Sequence, residues 1–288
     1  MDRLARSWLC IPALKDGLEE KIAQSVADIV LLDLEDSIPE SKKQVARERL
    51  LSFESDIWRQ YDLAIRVNAL SRPEGVRDLV FLMDNNIVPK YLVIPKVESP
   101  GELRILGELI SVTGAHTKIF GIVETLKGLR GIDAIINDSV NLCGVILGSA
   151  DLSAEISFRI SKTALMQIKC EVALAALSAG LKVIDTPCFN LSCKKQLADE
   201  IESVKALGYS GKIAIHPAQV GLINTLFSPT QEELRKANAI IASLNASELP
   251  TAIASVGGEM VGPPFEHLAK KLLATHQLVL RKDNKGVV

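Results

Sequence analysis

Eight short apolar runs recur along this chain, and their number and spacing constrain its fold more than any other feature. They are Ser7–Ile11, Asp28–Leu34, Leu63–Asn68, Tyr91–Pro95, Lys118–Val123, Leu142–Leu147, Leu181–Ile184 and Lys212–Ile215. Each is near-continuous rather than alternating, the pattern of strands covered on both faces. Most are separated by helix-like stretches. Glu74–Met83 places Val76, Leu79, Val80 and Met83 at helical spacing, and Lys195–Leu207 does the same with Leu197, Ile201 and Val204. Eight strand–helix units predict a (β/α)₈ TIM barrel, since an open doubly wound sheet usually has fewer strands. The barrel is expected over residues 1–227 as one domain. Residues 228–288 are expected to form a C-terminal helical extension that packs on the barrel mouth or on a neighbouring subunit. There Thr230-Gln-Glu-Glu233 reads as a capping box opening a helix through Leu244. A Gly-rich stretch (Gly257, Gly258, Gly262) follows, then a last helix from about Pro264 to Leu280.

Composition narrows the function classes. Of 288 residues, 48% are apolar and 24% charged, ordinary values for a globular protein with a large core. A net charge of −2 supplies no field for nucleic acid or an anionic membrane, so neither is an expected partner. The five cysteines (Cys10, Cys143, Cys170, Cys188, Cys193) show no C-x-x-C spacing and read as reduced core residues of a cytoplasmic protein. No run approaches the roughly 18 apolar residues of a membrane span, and the opening MDRLARSWLC lacks a signal-peptide core.

Barrel active sites lie where the strands end. Here the runs terminate in Pro12, Asp33-Leu-Glu35-Asp36, Arg66-Val-Asn68, Pro95-Lys96-Val-Glu98, Glu124, Gly148-Ser-Ala-Asp151, Asp185-Thr186 and His216-Pro217. Strand ends meet solvent, so any one such charge is unremarkable; charge at nearly every end is not. Glu124 and Asp151 stand about one strand–helix–strand crossover apart, roughly 30 residues. Neighbouring parallel strands lie about 4.8 Å apart, so both acids are expected at the same sheet edge. Hard oxygen ligands with little His or Cys nearby indicate Mg²⁺, with Mn²⁺ as the substitute. An ion held by so few protein groups keeps positions open for substrate. Lys96 is a candidate Schiff-base lysine, but the paired carboxylates favour metal chemistry over an imine. His216 reads as a structural histidine ahead of Pro217 rather than a base, Asp185 as either a turn cap or a functional group, and Glu98 as a solvated loop charge.

At these positions the chain resembles the citrate lyase β-subunit (CitE-like) family of the HpcH/HpaI aldolase superfamily. The matching strings are RSWLCIP (6–12), DIVLLDLEDSIPESKKQVAR (28–47), IRVN (65–68), IPKVES (94–99), GIVETLKGL (121–129), LGSADL (147–152) and GYSGKIAIHPAQV (208–220). The resemblance implies a Mg²⁺-dependent barrel lyase or Claisen-type enzyme acting on CoA or acyl-carrier thioesters, assembled as a homotrimer or a hexamer of trimers. It implies that Glu124 and Asp151 ligate the metal, that Arg66 binds the carboxylate of a 2-keto acid, and that Glu35 and Asp36 stand just behind the ligands in the catalytic group. It also implies that Arg6, Lys21, Ile215, His216 and Pro217 border the CoA thioester.

The chemistry suits the residues. A 3-hydroxyacyl thioester with a carboxylate on C3 presents a hydroxyl and a carboxylate to a metal, and carbon–carbon cleavage yields a 2-keto acid and a thioester enolate. Arg66 offers a planar fork that Lys cannot reproduce. The Gly148-Ser149-Ala150 turn is expected to bring backbone N–H groups up to the substrate carboxylate. One departure stands out: the family's C-terminal Gly-x-Met-Ile-Asp-x-Pro, whose Asp reaches across a subunit boundary as acid/base, is here Gly258-Glu259-Met260-Val261-Gly262-Pro263-Pro264. Gly262 replaces the acid, leaving Glu259, Glu266 and, less favoured, His267 as substitutes. Ala13 also stands where the family's opening has Gly. The leading substrates are citramalyl-CoA and citryl thioesters, giving pyruvate or oxaloacetate plus acetyl thioester, with malyl-CoA behind. The rivals are a metal aldolase on free hydroxy-keto acids and a non-catalytic subunit that binds metal and keto acid.

Overall fold

In the computed structural model, which describes residues 3–53, 55–112, 116–139, 141–157, 160–245 and 253–285, each apolar run becomes a strand. They are β1 (Ser7–Pro12), β2 (Ile29–Asp33), β3 (Leu63–Arg66), β4 (Tyr91–Ile94), β5 (Lys118–Val123), β6 (Leu142–Leu147), β7 (Lys182–Asp185) and β8 (Gly211–Ala214). They pair in sequence order, all parallel, and β8 returns to β1 to close a (β/α)₈ barrel. Closure leaves no free sheet edge, and the hydrogen bonds of every strand are shared with two neighbours.

Alternation sorts the strand residues into two sets. One set fills the barrel: Trp8, Ile29, Leu31, Ala64, Tyr91, Val93, Phe120, Ile122, Ile146, Ile184 and Ile213. Trp8, Tyr91 and Phe120 pack edge-on or tilted, with ring centroids 4.6–5.6 Å apart, and plug its lower half. Gly144 makes room for that plug, because a Cβ there would stand 2.1 Å from Phe120 Cε1. Carried two residues further along each strand, the same phase brings Asp33, Arg66 and Glu124 to the inner rim.

The opposite phase faces the surrounding helices and holds a second group of charges. Asp185 and Lys212, register partners on β7 and β8, are both fully buried, with Lys212 Nζ 2.5 Å from Asp185 Oδ2. Lys169, on the helix Lys162–Ser178, reaches Asp185 Oδ1 at 2.8 Å, and Glu200, on the helix Lys194–Lys205, lies 3.0 Å from Lys212. Asp185 is therefore neither a turn cap nor a mouth residue; it ties two helices to the barrel wall.

The chain divides into two compact units, residues 5–224 and residues 1–4 with 225–288. In the second, the helix Gln231–Asn245 opens on the expected capping box. The Thr230 N–H donates to Glu233 Oε2 at 2.7 Å and the Glu233 N–H to Thr230 Oγ1 at 3.1 Å. The Gly-rich stretch forms a hairpin, β9 (Ala254–Val256) with β10 (Glu259–Val261), turned by Gly257 at φ 61° and Gly258 at φ 84°. A two-residue turn with both φ positive is what glycine supplies and most residues resist. The last helix, Pro263–Lys285, packs on Gln231–Asn245 around Ala237, Ile240, Val261 and Ala269. Among the described residues no helix is long and apolar enough to cross a membrane.

Candidate functional site

The carboxyl ends of β2 to β6 converge on one cluster of charges. Asp33, the last residue of β2, accepts the Glu35 N–H at 2.9 Å and the Ser37 N–H at 3.1 Å, which turns the chain back over the mouth. Lys43 locks the turn by donating to the carbonyls of Leu34 (2.8 Å) and Glu35 (2.6 Å). Asp33 and Arg66 are neighbours in register, and the guanidinium grips Asp33 in a fork, Nε to Oδ1 at 2.7 Å and Nη2 to Oδ2 at 2.8 Å. Nη1 faces Glu35 Oε2 at 3.2 Å and Asp36 Oδ2 at 3.5 Å. Burial opposes the Asp33 charge, but Arg66 and the Ser37 and Glu35 donors outweigh it and hold its carboxyl below the usual range.

Lys96 sits at the centre. Its backbone N–H donates to Glu124 Oε1 at 2.9 Å, and its ammonium lies 2.9 Å from Glu35 Oε1 and 3.0 Å from Asp151 Oδ2. Burial, then the charges of Glu35 and Asp151, pushes the Glu124 carboxyl up to about 8 against the opposing pull of Lys96 and Arg66. Glu35 is raised for the same first reason, with Asp36 adding to it. Burial works against the Lys96 charge, yet the surrounding carboxylates raise its pKa above the ordinary lysine value. Paired with two carboxylates, the amine is held as an ammonium, which disfavours imine formation.

Asp151 belongs to the first turn of the helix Ser149–Ile156 rather than to the end of β6 itself, and its side chain is 40% exposed; Glu124, directly after β5, is buried. Gly148 contributes by what it lacks, since a Cβ there would fall 2.4 Å from Glu124 Oε2. Its expected role as an N–H donor to substrate is corrected: that N–H is spent on Val123 O at 3.0 Å, inside the barrel ladder. The Ser149 N–H points to Thr186 Oγ1 at 3.4 Å and its hydroxyl bonds the same oxygen at 2.7 Å, while Ala150 is exposed.

The residues expected around a thioester come from the neighbouring strands β1 and β8 and the segments that flank them. Lys21 is exposed on the helix Leu18–Ala23. Ile215 donates its N–H to Gln219 Oε1 at 3.0 Å, and His216 Nδ1 accepts the Ala218 N–H at 3.2 Å beside Pro217, which begins the helix Pro217–Phe227. That bond makes His216 a local turn-former. Arg6 is a second correction. It precedes β1, so a six-residue strand, about 20 Å long, separates it from the mouth. Its guanidinium is buried in a fork on Asp28 at 2.8 and 2.9 Å. The strand order alone places Arg6 at the amino end of β1, which sequence matching passed over. Two mouth residues went without a role in the sequence reading: Asp33, findable from its phase with Ile29 and Leu31, and Lys43, for which no sequence signal exists.

Glu124 and Asp151, with Glu35 beside them, are the hard-oxygen groups of the mouth that could hold a divalent ion. The buried Glu35 Oε2 receives no well-formed hydrogen bond, and burial leaves the Glu124 charge poorly compensated, so the site has unspent acceptor capacity. Among the described residues no three or more His, Cys, Asp and Glu form a self-sufficient cage, so an ion here would depend on two carboxylates and keep open positions.

Comparison with known proteins shows a family and a shared fold. The model of the family described as HpcH/HpaI aldolase/citrate lyase matches residues 6–217. The citrate lyase subunit beta of Escherichia coli strain K12 is 27% identical over 287 residues, covering 96% of this chain and 94% of its own. The mitochondrial citramalyl-CoA lyase of Mus musculus is 27% identical over 290 residues, covering 93% and 85%. The solved structure of the protein CitE from Mycobacterium tuberculosis, in complex with magnesium, acetoacetate and coenzyme A, superposes with a TM-score of 0.74 at 23% identity, covering 94% of this chain and 97% of its own, a likeness of fold.

Proposed function

This chain belongs to the HpcH/HpaI aldolase/citrate lyase family, and we propose that within it the protein is a Mg²⁺-dependent carbon–carbon lyase, cleaving a short 3-hydroxyacyl-CoA to a 2-keto acid and an acetyl thioester. The observation that carries this reading is the gathering of Glu35, Glu124 and Asp151 around Lys96, beside an arginine whose Nη1 is turned toward the same space. Glu124 and Asp151 would hold the ion, which supplies Lewis-acid polarisation of the substrate hydroxyl and keto-acid oxygens. Mn²⁺ is the expected substitute.

Arg66 binds the carboxylate of the keto-acid half through the Nη1 edge that Asp33 leaves uncovered. Glu35 takes the proton of the 3-hydroxyl on Oε2; its raised pKa makes it a stronger base than an ordinary surface carboxylate. The freed O–H electron pair becomes the C3=O bond as the C2–C3 bond breaks; the C2–C3 pair passes to C2 and onto the thioester oxygen as an enolate, which must gain a proton at C2. Gly262 stands where the family resemblance expects that donor. Glu259 is paired with Lys236 at 2.6 Å, which holds its carboxyl below the usual range, and Glu266 is paired with Lys270 at 2.5 Å. Glu259 is thereby held as a carboxylate and is a poor donor, so the proton comes slowly, from a substitute acid or from water. A CoA thioester is the favoured substrate form on the relatives' names, in a homotrimer or hexamer in the cytoplasm.

The test is keto-acid release from citramalyl-, citryl- and malyl-CoA with Mg²⁺. Cleavage of free hydroxy-keto acids alone would make the protein a metal aldolase instead. Gly262 also favours a second reading, a subunit that binds metal and keto acid without turnover. Under the lyase reading Gly262→Asp accelerates cleavage, by up to the 10²–10⁴-fold of general acid catalysis. Under the binding reading the wild type binds keto acid and Mg²⁺ yet releases no product.

A further inference from the structure

We propose that Lys96 is a positioning residue that parks the metal-binding carboxylates before the ion arrives, and that its ammonium is driven off Asp151 when a divalent cation binds. The proposal rests on the assignment of Glu124 and Asp151 as the ligands. Two features of Lys96 point the same way. Its backbone is left-handed, φ 51°, a conformation uncommon for a residue other than glycine. That turn aims its N–H at Glu124 Oε1, 2.9 Å away, and so orients the buried ligand. From the same residue the ammonium reaches Glu35 Oε1 at 2.9 Å and Asp151 Oδ2 at 3.0 Å, two carboxylates carried by separate segments of chain. One lysine thus holds both proposed ligands and the carboxylate beside them.

Without a cation those carboxylates repel one another, and in a partly buried mouth the repulsion is weakly screened. The ammonium substitutes for the missing charge. A divalent ion presents twice that charge to the same oxygens and takes Asp151, after which the ammonium keeps Glu35 as its partner. Lysine suits this exchange because its charge is compact and its stem flexible, whereas a planar guanidinium forked on one carboxylate does not withdraw readily. Displacement has an energetic consequence: the resident ammonium competes with the ion, so removing it should tighten metal binding even though it loosens the empty site.

The experiment measures Mn²⁺ binding to the metal-free full chain by loss of the free-ion electron paramagnetic resonance signal. Wild type is compared with Lys96→Met, which removes the charge and keeps the length. Lys96→Gly is a second variant that also relieves the left-handed backbone while retaining the N–H to Glu124. The expected result is binding by all three, tighter in both variants by about tenfold or more, with a lower metal-free melting temperature for Lys96→Met. A lysine that merely supports the fold would weaken binding on removal. Wild-type binding with unchanged or weaker binding in the variants overturns the parking role and leaves the ligand assignment standing. A wild type that takes up no Mn²⁺ overturns both.

Discussion

The barrel buries charge in two places, and the two are built on opposite rules. Behind β7 and β8, Asp185 and Glu200 meet Lys169 and Lys212, two anions against two cations, with Asp185 and Lys212 fully buried. At the mouth, among the described residues, the five carboxylates Asp33, Glu35, Asp36, Glu124 and Asp151 outnumber the cations paired with them, Arg66 and Lys96, while Lys43 is turned to backbone carbonyls. The outer group balances its charges and spends them on holding helices to the wall. The inner group carries an excess of carboxylate in a partly buried setting, a cost that a fold serving only stability would not retain. Charge balance, more than burial, separates the structural cluster from the functional one.

Neutralising a mouth carboxylate should therefore damage chemistry and spare the fold. Glu124→Gln and Asp151→Asn are each expected to lower Mg²⁺-dependent cleavage by about 10³-fold or more, the loss of several kcal/mol of charge stabilisation. EDTA should do the same to the wild type. Melting temperatures in metal-free buffer should stay nearly level: burial pushes the Glu124 carboxyl up to about 8, so it carries little charge to lose at neutral pH, and the part-exposed Lys96–Asp151 pair contributes about 1 kcal/mol or less. A variant that unfolds instead would place Glu124 among the structural charges.

The reverse is expected behind β7. Asp185→Ala leaves Lys169 and Lys212 buried without their shared anion, and urea unfolding should show a loss of about 3–5 kcal/mol. The folded fraction should keep its turnover number. Reduced turnover per folded molecule would couple the two clusters and blur the distinction.

Arg66→Lys tests the link between mouth residues. Charge survives but the fork on Asp33 does not, so kcat/KM should fall by about 10–100-fold, with part of the loss in KM. A tolerated lysine would mean the carboxylate is held elsewhere, with the residues 148–151 the place to look.

The smallest effect is a matter of pH. Burial raises the folded-state pKa of Glu124 from 4.5 to about 8, so the metal-free fold binds an extra proton between those values. The stability that this proton confers is complete below pH 4.5 and lost as pH rises through about 8. Metal-free protein should thus melt lower at pH 8.5 than at pH 6, and added Mg²⁺ should shrink the difference. Against the cost of burial, Asp185 and Glu200 raise Lys212 above its ordinary value of 10.5, so it keeps its own charge throughout this window. An Asp185→Ala variant showing the same pH slope as wild type would confine the effect to the mouth.

Much of this was legible from the chain. Eight runs became eight strands, and the two-residue alternation that buries Ile29 and Leu31 also aims Asp33 inward, as Phe120 and Ile122 do for Glu124. Register and rotamers were not legible. Nothing in Gly148 announces that its hydrogen faces a carboxylate, or that its N–H is already committed to Val123. A left-handed backbone at Lys96 is invisible to propensity, because lysine gives no sign of it. Arg6 was misplaced because string similarity ignores direction: a residue before a strand and one after it lie at opposite ends of the barrel.

The seam between β1 and β8 bears on how the chain is made. Ser7, Trp8 and Leu9 pair with Lys212, Ile213 and Ala214, partners separated by nearly the whole barrel sequence. During translation the first strand leaves the ribosome long before its last neighbour exists. Until the ribosome has passed Ala214, β1 presents an unpaired apolar edge, and each newly emerged strand adds another at the growing side. At roughly 5–20 residues per second that interval lasts on the order of ten seconds or more. The nascent chain is then an open sheet seeking an edge, and its own eighth strand competes with every other nascent chain nearby.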